Sequence, residues 1–304
     1  MISKKEDDMK ISARQLEVFM CVAKYSNVTR ASESLHLSQS AVSMALGELE
    51  KQLEETLFDR IGKSLTLNES GRLLLPKAIK VISQIKEIQT TFEGDKTKLA
   101  GDLRIGASAT IGNYILPDII SQYINKHPDI TILLDIKNTD KIIENILNFN
   151  LDFAIVEGFC QRKELNTVSW KKDEMVIVSS PHHPLAKKKT VTAKDLSEQQ
   201  WVLREVGAGP REFFESSIAG KVENISISLE LGNTEAIKHT LQNGFGIACL
   251  SRTTIKSDLA QKKLVVIKTP FLKLDRYFHM ITHKEKYNTG ILESFITACK
   301  LFVE

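Results

Sequence analysis

Between residues 12 and 69 the apolar positions recur with helical spacing and fall into short segments. Leu16, Val18, Phe19, Val22 and Ala23 share one face of a helix that ends near Tyr25 or Ser26. After Asn27 and Val28, Thr29 is placed to cap a second, short helix carrying Ala31 and Leu35, since its hydroxyl can accept a free backbone N–H. His36-Leu37 make a tight turn, and Ser38 caps a third helix with Val42, Ala45, Leu46 and Leu49 inward. Ala31, Leu35, Leu37, Val42 and Ala45 have the spacing that packs two short helices across a tight turn. That is the helix-turn-helix arrangement, whose second helix enters the DNA major groove.

The outward side of the third helix shows Gln39, Ser40, Ser43, Met44 and Gly47. No Asp or Glu occurs from Leu35 to Gly47, as a face approaching phosphates requires. Gln39 is the candidate base reader, because its amide can pair with both N6 and N7 of adenine. Ser38, Ser40 and Ser43 can donate to phosphates or base edges, Met44 completes the face, and Arg30 suits a backbone contact. From Arg60 to Leu67 the pattern is two short strands around a basic Gly turn. This is a wing, with Arg60, Lys63 and Ser64 as its phosphate contacts. Ordinary amphipathic helices with a solvated Ser/Gln face fit the same spacing.

Leu74, Ala78, Val81, Ile85, Ile88 and Phe92 follow in steps of 4, 3, 4, 3 and 4, a heptad seam with Lys77, Lys80, Gln84 and Glu87 opposite. Such a helix packs either on its own domain or on a second chain. The lack of a neighbouring helix in sequence favours the second chain, and hence dimerisation. Pro76 implies that the helix starts there or kinks nearby. The polar join of residues 93–102 follows, and from Gly101 strands alternate with helices in an α/β pattern. The first part has strands at Leu103–Ser108, Ile130–Ile136 and Phe153–Val156, with helices from about Gly112 to Lys126 and near Asp140–Asn148. The second has strands at Trp201–Arg204, Ile225–Leu231 and Ile247–Leu250, with a helix near Thr234–Gln242.

Length and charge change this picture little. At 304 residues the chain has room for two or more domains, and 42% hydrophobic with 26% charged residues is ordinary for a globular protein. No uncharged apolar run reaches the roughly 18 residues that would cross a membrane. The charged Met1–Lys10 stretch does not resemble an export signal, so a cytoplasmic location is expected. The net charge of +3 gives no support to a nucleic-acid partner, so DNA binding rests on motif geometry. Cys21, Cys160, Cys249 and Cys299 are far apart and lack metal-ligand spacing, which points to free thiols and no metal. His182-His183-Pro184 has no further ligand nearby and reads as a loop. No nucleophile or acid/base pair with supporting residues is evident, so neither an enzyme nor a cofactor is expected.

The series Ser38-Gln39-Ser40-Ala41-Val42-Ser43, Leu49-Glu50, Leu53, Leu57-Phe58, Arg60, Leu65-Thr66 and Gly71 resembles the LysR-type transcriptional regulator family, and the likeness runs along nearly the whole chain. Two positions depart from it. Ser40 stands where the family often has proline, and Glu54 where it usually has glycine. The resemblance implies an α+β multidomain fold: an N-terminal winged helix-turn-helix, a long dimerising linker helix and a bilobed α/β periplasmic-binding-protein-like effector domain. The expected segments are 1–69, 70–95 and 96–304, with lobe 1 about 101–172 and 278–304 and lobe 2 about 173–277. The chain would cross between lobes near Trp170–Val176 and Arg276–Ile281. Implied partners are double-stranded DNA, a small effector and a second copy of the chain as homodimer or homotetramer; RNA polymerase is admitted as a further one.

In open parallel sheets, ligands bind beyond the carboxyl ends of the strands, where helix N-termini offer free N–H groups. Ser108, Ala109 and Thr110 meet that requirement, as do Asn138 and Thr139. In the other lobe the candidates are Glu205, Gly207, Gly209 and Thr234. Plain helix capping explains each loop alone. Convergence on one cleft makes them a site for a small polar ligand, with an anion favoured. The stretch from Arg204 to Glu212 is similar to a loop in regulators of sulfur and carbon assimilation, which suggests an inorganic oxyanion or small carboxylate. The competing reading is a bilobed small-molecule-binding or redox-sensing protein acting through Cys160, with Arg162 lowering the thiol's pKa.

Overall fold

The structure, a computed structural model, describes residues 11–61, 64–92, 99–157 and 162–302. The chain divides into two compact units, one built on residues up to Lys98 and one running from Leu99 to Lys284 and again from Ile291. No helix among the described residues is long and apolar enough to cross a membrane.

The first unit holds α1 (Ala13–Tyr25), α2 (Val28–Leu35), α3 (Gln39–Leu53), β1 (Phe58–Ile61), β2 (Ser64–Leu67) and α4 (Glu69–Phe92). Phe19, Val22, Ala31, Val42 and Leu49 are fully buried and lock the first three helices together. The cap of α2 is Asn27 rather than the expected Thr29, its side chain accepting from the Arg30 N–H at 3.1 Å. Ser26, at φ 51°, ends α1 in the left-handed region and leaves Asn27 extended, so α2 begins too early for Thr29 to cap it. Ser38 caps α3 as expected, accepting from the Ala41 N–H at 3.1 Å. The strands pair in antiparallel register, Ile61 opposite Ser64, and the Leu65 N–H donates to the Ser26 carbonyl at 2.9 Å, tying this hairpin to the α1–α2 turn.

The linker helix does not start at Pro76. It begins at Glu69, where the Asn68 side chain accepts from the Gly71 N–H at 2.9 Å. Gly71 is required by close approach: a Cβ there would stand 2.1 Å from the Leu57 carbonyl oxygen. Cap and contact hold the turns before Pro76, where the ring removes only one backbone donor. The expected heptad seam is also divided. Ala78 is buried in the unit's own core together with Ile79 and Ile82, with Leu74 and Ile85 packed against it. Val81 and Ile88 are exposed, as is Leu73. Helix α1 supplies the neighbour that adjacency in sequence did not show. The Phe92 side chain lies outside the described residues.

The second unit opens with β3 (Gly101–Ala107), α5 (Ala109–Tyr114), α6 (Leu116–Lys126), β4 (Ile130–Ile136), α7 (Thr139–Leu147), β5 (Phe153–Glu157) and the long β6 (Leu165–Ser179). The helix expected from Gly112 to Lys126 is therefore two helices. They part at Ile115, two residues before Pro117, which lies in the first turn of α6 and has no backbone N–H to continue the hydrogen bonds of α5. Next come α8 (Ala193–Ser197), β7 (Gln200–Arg204), α9 (Gly209–Ile218), β8 (Ser226–Leu231), α10 (Thr234–Gln242), β9 (Ala248–Ser251), α11 (Lys256–Ala260) and β10 (Val265–Ile267), and the unit closes with β11 (Asp275–His283) and α12 (Gly290–Leu301).

Among the described residues seven strands form one sheet, in the order β10-β6-β11-β5-β3-β4 with β9 also on β6. Strands β3, β4 and β5 run parallel, so their carboxyl ends share one edge. The first part of β6 pairs with β11, and the rest, from Met175, pairs with β9 and β10. Strand β7 pairs with β8, and Trp201 bridges to Ile247 just before β9. Strands β6 and β11 thus join two lobes. One has Ile105, Phe153 and Phe295 at its centre, the other Trp201, Phe214 and Ile177.

Candidate functional site

Each unit presents a candidate site. In the first, Ser38 ends the turn after His36 and opens α3, so the next residues form the first turn of a helix facing solvent. Gln39, Ser40, Ser43 and Gly47 are exposed, and Met44 is 65% exposed, large for an apolar side chain. The Ser38 and Ser40 hydroxyls lie 2.9 Å apart, so Ser40, where proline was the family's habit, extends the polar cap. Val42, Leu46 and Leu49 hold the opposite side of α3 in the core. Arg30 on α2 and Arg60 on β1 are exposed. Ser64 is exposed too, its hydroxyl donating to the Ser26 carbonyl at 3.3 Å. Lys63 lies outside the described residues. The first unit therefore offers an uncharged polar helix end and arginines able to meet phosphates.

In the second unit the carboxyl ends of β3, β4 and β5 carry Ser108, Asn138-Thr139 and Glu157. The Ser108 N–H donates to the Ile155 carbonyl at 3.2 Å, fixing its place beside β5. Its hydroxyl is buried, makes no cap bond to α5 and has no partner, and the buried Thr139 hydroxyl also lacks one. Ala109 is half-buried and Thr110 buried. Asn138 caps α7, accepting from the Lys141 N–H at 3.1 Å. The other lobe closes on these residues. A Cβ on Gly209, the first residue of α9, would lie 3.0 Å from Thr139 Oγ1, and one on Gly207 would lie 3.1 Å from Asp140 Oδ2. Gly207 also has φ 81°, where glycine is favoured.

Glu205 and Thr234 lie instead around Arg204. The guanidinium donates to both Glu205 oxygens, at 2.7 and 2.8 Å, and to Thr234 Oγ1 at 3.4 Å. Burial opposes the Glu205 charge, but Arg204 outweighs it and holds the carboxyl below its usual range. A further link between lobes runs from the Tyr114 hydroxyl on α5 to Glu235 on α10, and burial followed by this bond raises the phenol's pKa. Among the described residues no cluster of three or more His, Cys, Asp or Glu is arranged to hold a metal. Burial pushes the Cys249 and Cys299 thiols up to about 12, which leaves them inert as thiolates. Cys160 lies outside the described residues.

Residues 13–72 match the model of the bacterial regulatory helix-turn-helix protein, lysR family, and residues 96–302 match the LysR substrate binding domain. The chain belongs to the LysR family. It is 41% identical to the uncharacterized HTH-type transcriptional regulator YeiE of Escherichia coli K12 over 96% of this chain and 98% of that one. A full-length OxyR point variant from Pseudomonas aeruginosa has the same fold, with a TM-score of 0.75 at 21% identity over 96% of this chain and 95% of that one. The regulatory domain of CcmR from Synechocystis PCC6803, solved in complex with 2-PG, superposes with a TM-score of 0.61 at 26% identity, covering 66% of this chain and 96% of that one. The protein is a DNA-binding LysR-type transcription regulator with an effector-binding domain, not an enzyme.

In this LysR-type regulator the sequence reading missed Glu157, Arg204 and Arg276. Their signal was present for the first two: Phe153-Ala154-Ile155-Val156 ends on Glu157, and Trp201-Val202-Leu203 ends on Arg204. A charge ending an otherwise apolar buried strand sits where the sheet edge meets a cleft. Arg276 had no such mark, being near the start of a strand the pattern did not reveal.

Proposed function

We propose that the regulator reads double-stranded DNA as a homodimer or homotetramer, with Gln39, Ser40 and Ser43 at base edges and Arg30, Arg60 and Ser64 at phosphates. A small polar, anionic effector held between the lobes by Ser108, Thr110 and Thr139 favours one lobe arrangement and so alters the spacing of the reading heads. The exposed, uncharged first turn of α3 carries the DNA-reading part, because recognition helices contact bases with their N-terminal residues. The unpartnered hydroxyls of Ser108 and Thr139 support the effector part, as does the likeness to a regulatory domain solved with 2-PG.

Fluorescence anisotropy on fragments upstream of the regulator's own gene tests the reading. Gln39→Ala should lose discrimination among single-base variants worth about 1–3 kcal/mol at one position. Arg60→Ala should weaken binding alike at every sequence and lessen the salt slope by about 1. Equal loss at all sequences for Gln39→Ala would remove its base-reading role.

A further inference from the structure

Three charged side chains lie buried where β5, β6 and β11 meet. Glu157 ends β5, Asp173 is on β6 and Arg276 on β11, with exposures of 1%, 3% and 4%. Register brings them together: Arg276 is opposite Asp173, and Phe278, two residues on, is opposite Glu157. Arg276 Nε donates to Asp173 Oδ2 at 2.7 Å, and the Ser251 hydroxyl donates to the other Asp173 oxygen at 2.6 Å. Asp173 is therefore satisfied.

Glu157 is not. Neither carboxylate oxygen accepts a hydrogen bond, and Arg276 Nη2 stands 3.7 Å from Oε1, an ion pair too long for a hydrogen bond. Arg276 Nη1 and Nη2 lack hydrogen-bond partners as well. A buried carboxylate left in this state opposes folding, so its place needs another explanation. That place is the cleft. A Cβ on Gly209 would lie 3.2 Å from both the Cβ and the carbonyl oxygen of Glu157, beside the unpartnered Thr139 hydroxyl. Ser108 adds its unpartnered hydroxyl from the neighbouring strand end.

The unsatisfied atoms thus fall into two classes. The Ser108 and Thr139 hydroxyls and the Arg276 Nη groups can donate to an anion, whereas Glu157 in its charged form can only accept. An anion without a hydrogen of its own satisfies the first class and is repelled by the second.

We propose that Glu157 is a specificity-determining residue of the cleft, accepting a hydrogen bond from a donor that the effector carries beside its anionic group. The effector is then a small hydroxy or amino acid, or an oxyanion that keeps a proton, and not a bare anion such as sulfate. This rests on the anionic-cleft reading above and deepens it.

Calorimetry on the full chain with two probe pairs, hydrogen phosphate against sulfate and glycolate against acetate, tests the proposal. The donor-bearing member of each pair should bind at least tenfold tighter. Glu157→Gln, whose amide can itself donate, should abolish that preference and improve sulfate binding about tenfold. Ser108→Ala should weaken both members alike and leave the preference intact. Sulfate and acetate binding as tightly as their partners, or an unchanged preference in Glu157→Gln, would overturn the role of Glu157 while sparing the anionic cleft. If none of the four probes binds either protein, the anionic reading fails and this one with it. In the ligand-free chain, Glu157→Gln should leave the thermal midpoint unchanged or raised. A fall of more than about 5 °C would make Glu157 a structural partner of Arg276 and overturn the proposal.

Discussion

Gln39, Ser40 and Ser43 stand exposed on one helical turn, and their positions follow from the Ser38 cap and the inward set Val42, Leu46 and Leu49. Ser108, Thr139, Glu157 and Gly209 come from three strand ends and a helix in the opposite lobe, and all are buried. The first site was fixed within about fifteen residues by periodicity and a cap. The second exists only after a sheet of distant strands has formed and two lobes have met. The candidate site of one unit is therefore exposed, while that of the other is built from buried, incompletely paired polar groups. The two should fail differently when disturbed.

The largest failure is expected at the charged cluster beneath the cleft. Asp173→Ala removes the acceptor for Arg276 Nε and for the Ser251 hydroxyl, in side chains almost wholly buried. A buried guanidinium left with only the Glu157 carboxylate at 3.7 Å and no hydrogen-bonded counter-charge should cost about 3 kcal/mol, read by urea unfolding of the full chain. A loss under about 1 kcal/mol would show that buried charge does not hold the crossing strands, and the contrast between the units would weaken.

In the first unit the corresponding sensitivity is steric. Gly71→Ala would place a methyl 2.1 Å from the Leu57 carbonyl oxygen and 2.7 Å from Leu67 Cδ2, forcing α4 away from the strand pair. The expected loss is about 2–3 kcal/mol. Circular dichroism should show it in the transition of the first unit, and DNA affinity should fall with it. Unaltered stability would mean that the linker helix is not seated on this contact.

The same division explains what was legible in the sequence. The elements around α3 were readable because caps, turns and apolar spacing are local signals, and even the miss at Thr29 moved a boundary by only two residues. Among the described side chains of the linker seam only Leu74, Ala78 and Ile85 turn inward, because α1, more than fifty residues before Ala78, packs on α4, while Val81 and Ile88 stay exposed. In the cleft, Ser108 and Thr139 could be named from strand-to-helix junctions, but the company of Glu157 could not. The register that sets Asp173 opposite Arg276 joins residues about a hundred positions apart. Strand β11 itself escaped because Asp275, Arg276 and His279 interrupt its apolar pattern. Local periodicity reports elements; long-range register makes the chemistry of the cleft.

The smallest expected effect sharpens the contrast from the local side. Glu54 ends α3 at φ 54°, a left-handed position where the family usually places glycine. Its backbone N–H donates back to the Glu50 and Lys51 carbonyls, bonds that glycine would keep. An L side chain in that region costs about 1–2 kcal/mol, and glycine returns part of this through the greater freedom of its unfolded chain. Glu54→Gly should therefore stabilise the first unit by about 0.5–1 kcal/mol, as a rise in urea midpoint at constant slope, with DNA affinity unchanged. Because the strain belongs to one residue's backbone, neither the cleft nor the transition of the second unit should respond. A stability loss in Glu54→Gly would mean that the Glu54 side chain contributes more than its backbone costs, and that cap geometry alone does not set the turn into the wing.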